Sequence, residues 1–306
     1  MKKPNFFIVG AKKSGTTAMF EYLKQHPDVF MCEPKEPAHF CPDLEIPDVV
    51  SNRDDYLRLF AGAGDEKIIG EGTTSYINSA AAPCEIHEFN ADSKILIMLR
   101  NPVDMVHSLH SYLVWLGWED IKDFEEALAA EEDRRQGKRL PYSLYTTRFL
   151  FYRETVAYSG QVQNFLDVFG PEKTKIIIFD DFKKDARGAF RETCEFLEID
   201  AGFEPHIEKV NENRVVRHPG LHTLITRPHP KFKQFVRGLL PHGLRTRAAE
   251  KLILMNSQTA ARQSMPDELR HRLENEFTPD VERLSQILGR DLVTLWFSKK
   301  EVPLAP

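Results

Sequence analysis

A loop rich in glycine, serine and threonine near the amino terminus has the composition of a phosphate-binding site. It reads Gly10-Ala11-Lys12-Lys13-Ser14-Gly15-Thr16-Thr17 and joins an apolar run at 6–9 to a segment with helical periodicity. Backbone N–H groups of such a loop converge on an anion, and the amino end of the following helix adds partial positive charge. The glycine spacing matches a Walker A loop, but Thr16 replaces the lysine of that motif, and Lys13 comes three residues earlier. The loop is therefore predicted to hold a shorter anionic group than the phosphates that a kinase binds.

A second set of anion-binding side chains follows the most apolar segment, Lys94–Leu99. Arg100 comes directly after that segment, and Ser108 comes eight residues later, within a stretch of helical periodicity from Val103 to Trp115. Ligands of open α/β sheets bind at the carboxyl ends of the strands, and arginine can clamp a phosphate with two parallel hydrogen bonds. Two phosphate sites at one sheet edge indicate a nucleotide phosphorylated at two positions.

These segments together resemble the sulfotransferases that use 3′-phosphoadenosine 5′-phosphosulfate (PAPS) as donor. The run from Lys13 reads K-S-G-T-T, as in the loop that binds the 5′-phosphosulfate in that family. The resemblance implies that Lys13 also stabilises the charge on the leaving phosphate, that adenosine 3′,5′-bisphosphate (PAP) is a product, and that no metal is required. The residues that it assigns to the 5′ end of the donor are Lys13, Ser14, Gly15, Thr16 and Thr17.

The resemblance extends over residues 5–218 and includes the 3′ end of the donor. Arg100-Asn101-Pro102-Val103-Asp104, with its distant serine, is similar to the family's 3′-phosphate motif, so Arg100 and Ser108 are expected to hold that phosphate. Phe179 begins a segment like one whose phenylalanine stacks on the adenine. The run from Asn211 to His218 is similar to a late basic loop, which makes Arg214 and Arg217 two further candidates for the 3′-phosphate.

Sulfuryl transfer needs a group that takes the proton of the acceptor. Glu36, in a K-E-P-x-x-F pattern that resembles bacterial and glycan-type enzymes, is the first candidate for this base, and its pKa is expected to rise beside an anionic donor. His39 is the second candidate, and His107 and His110 are weaker ones. Aryl- and steroid-type enzymes place a histidine just after the third strand, where this chain has Gly72 and no histidine. The chain is therefore more similar to the glutamate-base branch.

The acceptor is predicted to be a small or lipid-like, amphipathic compound that offers a hydroxyl or an amine. Glycan sulfotransferases often carry a lysine where this chain has Gly72, and the formal net charge of the 306-residue chain is −5, so a sulfated polysaccharide fits less well. The aromatic cluster at 112–118 either lines an acceptor pocket or belongs to the hydrophobic core. Three alternatives stay open: a P-loop kinase-like phosphotransferase, a sulfotransferase acting on a glycan, and a nucleotide-binding protein without activity.

Apolar runs alternate with helical patterns, which predicts a three-layer α/β fold with a central, mainly parallel sheet and helices on both faces. Strands are expected at 6–9, 29–31, 68–71, 94–99 and 175–179. Helices are expected at 16–25, 103–115, 123–135 on the surface, 148–169 and 185–197. A single domain is predicted over 1–306, with 220–306 as a helical cap or lid that has no strand. Within it, 227–251 is basic and amphipathic.

The bulk properties favour a cytoplasmic enzyme over a nucleic-acid or membrane protein. The pI is about 6.1, whereas non-specific nucleic-acid binders are usually basic. The first apolar run is too short for a signal peptide, and no stretch has the length of a membrane span. Four cysteines, at 32, 41, 84 and 194, lack metal-site spacing and are expected to be free thiols in a reducing compartment.

Overall fold

Five parallel strands form the central sheet of the computed structural model, which describes residues 2–47, 49–142, 145–207, 214–226, 251–260 and 262–298. Strand order is β2-β3-β1-β4-β5. The strands are β1 (Phe6–Gly10), β2 (Val29–Met31), β3 (Ile68–Gly72), β4 (Lys94–Leu99) and β5 (Thr174–Ile178). All neighbouring pairs are parallel. The continuous apolar runs form these strands because both faces of a parallel sheet are buried.

Helices cover both faces of the sheet, as the alternation of patterns predicts. The α-helices in the described ranges include α1 (Thr16–Leu23), α2 (Arg53–Arg58), α3 (Ala82–Phe89), α4 (Pro102–Leu116), α5 (Phe124–Ala129), α6 (Glu131–Arg135), α7 (Tyr152–Thr155), α8 (Tyr158–Phe169), α9 (Phe179–Lys184), α10 (Ala186–Leu197), α11 (Pro219–Thr226), α12 (Asp267–Leu288) and α13 (Leu292–Phe297). Side chains along β4 alternate between two hydrophobic cores. Ile95 and Ile97 belong to the core beneath α4, α8 and α12, whereas Leu96 and Met98 belong to the core beneath α1 and α10.

The carboxyl-terminal region differs from the prediction of helices without a strand. A short strand, β7 (Ser257–Thr259), pairs antiparallel with β6 (Arg214–Val216). The sequence pattern missed it because Ser-Gln-Thr has no apolar alternation and is held by the backbone ladder. Helix α12 packs on α8, and its apolar face joins the core that contains the phosphate-loop strand. The basic segment 227–251 lies outside the described residues except for Lys251, so its predicted role stays a prediction.

Two predicted helices are interrupted. The span 148–169 contains a 3-10 turn (Thr147–Leu150) followed by α7 and α8, because its buried residues at 150, 152, 156 and 158 do not fall on one helical face. The charged span 123–135 consists of α5 and α6, and its surface assignment is wrong for two of its charged residues. Glu131 and Arg134 are 4% and 2% exposed. Charged side chains enter this core because each finds a partner of opposite charge.

Three further predictions concern the cysteines, membrane-spanning segments and the position of Phe179. The four cysteines are free thiols, three of them buried and Cys84 exposed. No helix among the described residues combines the length and the apolar character that a membrane crossing requires. Phe179 starts α9 instead of ending β5, which places it at the carboxyl edge of the sheet.

The most deeply buried ion pair joins Arg134 to Glu119. Arg134 Nη2 donates to both carboxylate oxygens of Glu119 at 2.8 Å, and both side chains are fully enclosed. Tyr152 Oη donates to the same carboxylate at 2.8 Å, and the Asp120 and Ile121 N–H groups donate to it at 2.9 Å. The pair thereby fixes the segment that follows α4.

Arg134→Met should lower the free energy of unfolding by about 3–5 kcal/mol, because it leaves the Glu119 charge buried without its counterion. Urea denaturation at pH 7, followed by circular dichroism, measures this loss. The neighbouring Arg135→Met variant is the control, since its side chain is 44% exposed and pairs with Glu154 at the surface. The control should change stability by about 1 kcal/mol or less. Equal losses in the two variants would contradict the special role of the buried pair.

Candidate active site

The loop after β1 presents an uncapped helix end to a cavity at the carboxyl edge of the sheet. Helix α1 begins at Thr16, and its N-cap, Gly15, has φ +89° and no capping side chain; its first turn holds no acidic residue. A Cβ on Gly15 would lie 3.1 Å from the rings of Phe179 and Phe182. Glycine therefore adopts the left-handed backbone conformation without strain and leaves room for the two phenylalanine rings. The free N–H groups and the helix dipole favour an anion here.

Three cationic side chains converge beside this helix end: Lys13, Arg100 and Arg262. Arg100 Nη1 donates to the Lys13 carbonyl oxygen at 3.1 Å, and Arg262 Nη2 donates to Ser108 Oγ at 2.8 Å. Within the described ranges, none of the three forms a salt bridge with a carboxylate, and Arg262 Nε is buried without a hydrogen-bond partner. We call these three residues the cation cluster.

The cation cluster is electrostatically strained in the absence of an anion. Burial, together with the charges of Arg262 and Arg100, lowers the pKa of Lys13 to about 8. Burial also lowers the pKa of Arg100 and of Arg262. A bound anion would remove this repulsion and supply the missing partners. The donor set of guanidinium, ammonium, hydroxyl and backbone N–H groups suits phosphate and sulfate oxygens.

A carboxylate lies in the same cavity, on the loop that follows β2. The Glu36 side chain is 41% exposed to the cavity. Its Oε2 accepts a hydrogen bond from the Thr74 N–H at 2.7 Å, and its Oε1 pairs with the Lys35 ammonium. Desolvation raises the pKa of Glu36, but the charges of Lys35 and Lys12 outweigh it and hold this pKa below its ordinary value. Glu36 is therefore ionised at neutral pH.

One cavity of about 640 Å³ joins these groups. The cation cluster and the amino end of α1 lie along one part of its wall, and Glu36 with Lys12 and Lys35 along another. Aromatic side chains complete it. The aromatic residues that line it are Tyr112, Trp115, Trp118, Tyr145, Phe149 and Phe179.

The comparisons with known proteins agree on one family. A model described as "Sulfotransferase domain" matches residues 3–218. This chain belongs to the sulfotransferase family. That membership bears out the resemblance and decides against the kinase-like interpretation of the phosphate loop. The family's sulfuryl donor is PAPS, and the cation cluster and the uncapped helix end supply anion-binding groups suited to it.

Individual relatives give the breadth of the similarity. A crystal structure of a sulfotransferase from Alicyclobacillus acidocaldarius is 29% identical, has a TM-score of 0.73, and covers 97% of this chain and 99% of its own. Carbohydrate sulfotransferase 15 of Rattus norvegicus is 25% identical over 249 residues, which are 64% of this chain and 44% of that protein. Heparan sulfate glucosamine 3-O-sulfotransferase 6 of Mus musculus is 37% identical over 102 residues, 33% of this chain and 28% of that protein. The sulfotransferase thus spans less than half the length of these curated relatives.

Most residues predicted from sequence line the cavity of this sulfotransferase. Ser14 is the exception within the loop, because its buried hydroxyl donates to the Lys12 carbonyl oxygen at 3.2 Å. The predicted residues that line the cavity are Lys13, Gly15, Thr16, Thr17, Glu36, Arg100, Ser108 and Phe179.

The histidine candidates lie elsewhere. His39 stacks on Tyr56 with ring centroids 4.3 Å apart, its Nδ1 bonds to the Val50 carbonyl oxygen, and it is not among the lining residues. His107 and His110 line a neighbouring cavity of about 630 Å³. Burial lowers the pKa of His107 to about 4, and it also lowers the pKa of His110. Both imidazoles are therefore neutral, and Glu36 is the candidate base that faces the cation cluster.

Of the arginines considered for the 3′-phosphate, Arg217 and Arg262 differ in their position relative to the cavity. The side chain of Arg217 is exposed and is not among the lining residues, while the side chain of Arg214 lies outside the described residues. Arg262, which the sequence reading missed, contacts the predicted Ser108 instead. Its surroundings, Thr-Ala-Ala-Arg-Gln-Ser, carry no phosphate motif. The antiparallel β6–β7 pair and the hydrogen bond from Trp115 Nε1 to Ser257 Oγ hold this segment near α4.

Arg262→Ala should weaken PAP binding by about tenfold to a hundredfold, because it removes a charge-assisted contact to an anion. Isothermal titration calorimetry at fixed ionic strength measures the dissociation constant. Arg187→Ala is the control, since that side chain is 59% exposed and pairs with Glu204. Weaker binding in Arg217→Ala together with unchanged binding in Arg262→Ala would contradict this assignment and restore the sequence-based one.

Proposed function

We propose that this sulfotransferase moves the sulfuryl group of PAPS to the hydroxyl of a small or amphipathic acceptor, with Glu36 as the general base. The observation that carries the proposal is the single cavity that contains both the unpaired cation cluster and an ionised carboxylate. A site that only bound a nucleotide would have no use for a carboxylate in the same space as its phosphates.

The donor would occupy the cationic part of the cavity. Lys13 and the amino end of α1 would bind the 5′-phosphosulfate, and Arg100, Ser108 and Arg262 would bind the 3′-phosphate. Phe179 lines the same cavity, with the Arg100 guanidinium 5.0 Å from its ring centroid, and its ring is the candidate surface for the adenine. This division gives each phosphate two or more positively charged partners. The phosphates would supply the negative charge that no carboxylate in the described ranges supplies to the cation cluster through a salt bridge.

The transfer itself needs one proton acceptor and charge neutralisation. The acceptor oxygen would form a bond to sulfur while the bond between sulfur and the 5′-phosphate oxygen breaks, and Glu36 would take the hydroxyl proton. Lys13 would neutralise the charge that appears on the leaving phosphate, as the cations of phosphoryl-transfer sites do. The anionic donor would raise the pKa of Glu36 and so oppose Lys35 and Lys12, which makes the carboxylate a better base when the donor is bound.

An aromatic wall next to Glu36 supports an acceptor with an apolar body. Trp118 and Tyr145 stack with centroids 4.1 Å apart and an interplanar angle of 5°, and Phe149 continues the same stack. Two polar atoms beside this wall are already engaged: Tyr145 Oη donates to the Pro47 carbonyl oxygen at 2.8 Å, and Trp115 Nε1 donates to Ser257 Oγ at 2.7 Å. The many hydroxyls of a saccharide would lose hydrogen bonds to water here without full replacement.

A glycan acceptor is the second candidate, because two observations favour it. Two of the relatives named above act, by their names, on carbohydrate and on heparan sulfate glucosamine. In addition, Lys35 Cε would lie 3.3 Å from a Cβ at Gly72, so the Lys35 side chain crosses the place where a lysine at position 72 would begin. Glycine at this position therefore does not exclude a cation near the acceptor.

Glu36→Gln should lower kcat by about a hundredfold to ten-thousandfold and leave PAP binding nearly unchanged, because it removes the proton acceptor but keeps the shape of the side chain. Transfer of radiolabelled sulfate from PAPS gives kcat, and calorimetry with PAP gives the affinity. Glu33→Gln in the same loop is the control, since Glu33 pairs with Lys24 at the surface. A fully active Glu36→Gln enzyme would show that another group takes the proton.

Trp118→Ala should raise KM about two- to tenfold for a flat phenol such as 2-naphthol, because it removes one stacked ring from the wall. Trp118→Phe keeps a ring and should change KM less, and both variants should bind PAP like the parent enzyme. The same transfer assay is run with decanol and with an N-sulfated heparan oligosaccharide as alternative acceptors. Efficient transfer to the oligosaccharide alone would overturn the apolar acceptor in favour of the glycan.

A further inference from the structure

We infer that Glu71 is a positioning residue that holds the Glu36 loop in its catalytic conformation, an inference that rests on the proposed function. Glu71 lies in β3, is fully buried, and faces no basic side chain with which it forms an ion pair in the described ranges. Its Oε1 accepts hydrogen bonds from Tyr56 Oη at 2.7 Å and Tyr76 Oη at 3.0 Å, and its Oε2 accepts one from Thr73 Oγ1 at 2.7 Å. Three hydroxyl donors thus meet one buried carboxylate.

Two of these hydroxyls also bind the backbone of the loop that carries Glu36. The Ala38 N–H donates to Thr73 Oγ1 at 3.2 Å, and the Phe40 N–H donates to Tyr76 Oη at 3.3 Å. The chain of contacts therefore runs from carboxylate to hydroxyl to loop amide at two points. The third hydroxyl, that of Tyr56, bonds to Glu71 alone among the described residues.

The loop needs such support because its backbone is strained. Glu36 has φ +68° and Ala38 has φ +53°, and both carry a Cβ that disfavours this left-handed region. Residues in such conformations persist only where the surroundings over-determine them. The anchors of Ala38 and Phe40 come from the same strand end whose Thr74 N–H donates to Glu36 Oε2, so one structure orients both the loop and its carboxylate.

The direction of the hydrogen bonds suits an ionised carboxylate. A hydroxyl has one proton and two lone pairs, so Thr73 and Tyr76 can each donate to Glu71 and accept from a loop amide at the same time. A protonated acid or an amide at position 71 offers a donor of its own, so one buried hydroxyl proton loses its acceptor, which disturbs the network that anchors the loop. Burial raises the pKa of Glu71 to about 7, against the effect of its hydroxyl donors. The titratable groups around it are Tyr56, Tyr76, Cys32 and Glu36, with Cys41 beside Tyr76.

Glu71→Gln should therefore lower kcat about tenfold to a hundredfold at pH 7.5, as small misplacements of catalytic groups do, with the KM for PAPS within about threefold of the parent value. In the parent enzyme kcat should fall between pH 7.5 and 6, as Glu71 takes up its proton. The variant should lack this fall, because it resembles the protonated state at both values. A merely structural role would lower the melting temperature without flattening the pH profile.

Matched hydroxyl variants separate the links to the loop from the rest of the network. Thr73→Val and Tyr76→Phe each remove a hydroxyl that binds a loop amide, and both should lower kcat as Glu71→Gln does. Tyr56→Phe removes a hydroxyl that does not, and it should keep kcat within about threefold of the parent value. These variants decide the question even where Glu71→Gln does not fold.

Hydrogen exchange tests the inference without any turnover. The Ala38 and Phe40 amides should be protected in the parent enzyme and in Tyr56→Phe, and the matching amide should lose protection in Thr73→Val or Tyr76→Phe. Unchanged exchange and unchanged kcat in both linking variants would overturn the inference while leaving the proposed function intact. Absence of sulfate transfer in the parent enzyme, with the predicted exchange pattern present, would overturn the proposed function instead.

Discussion

Repulsion among half-buried cations that form no salt bridge with a carboxylate in the described ranges is the constraint on which the site depends. Lys13, Arg100 and Arg262 come from three separate parts of the chain. The two arginines lower the pKa of Lys13, and Arg100 lowers the pKa of Arg262. Unfolding would separate them, so the rest of the fold must hold them together against that tendency. The parallel sheet does this because its strands end at one edge, with hydrophobic cores on both faces. A polyanion that binds here would relieve the repulsion among these cations, and this relief would add to its binding free energy.

The acceptor end of the cavity differs because it contains a carboxylate. There Lys35 pairs with Glu36, and Lys12 donates to Ser75 Oγ and lies over the face of Phe149. In the proposed function, the cations without a salt bridge would bind the donor, and the groups around Glu36 would orient the acceptor. This separation would let one cavity hold a highly charged donor and still present an apolar wall to its second substrate.

The sequence predicted those parts of the molecule whose position depends on residues nearby in the chain. The apolar runs marked the five strands, and the loop from Gly10 to Thr17, Arg100 and Ser108 were found because each is tied to a strand end by a few residues. Arg262 was missed because its position depends on a strand pairing over more than forty residues, in a segment without apolar alternation. His39 follows Glu36 by three residues, yet the two positive φ values between Glu36 and Ala38 turn it into an aromatic cluster instead of the cavity. Sequence spacing alone does not reveal such a turn.

The same loop geometry explains why the pKa of Glu36 differs from the expectation. The sequence argument considered the donor's negative charge, which raises the pKa of a nearby carboxyl, whereas the chain itself places Lys35 and Lys12 beside Glu36 and lowers it. In the proposed function the two effects would act one after the other. The lysines keep the carboxylate ionised, and it accepts a hydrogen bond from the Thr74 N–H. A bound donor would then offset the lysines with its negative charge and increase the proton affinity of Glu36 at the stage when the acceptor must lose its proton.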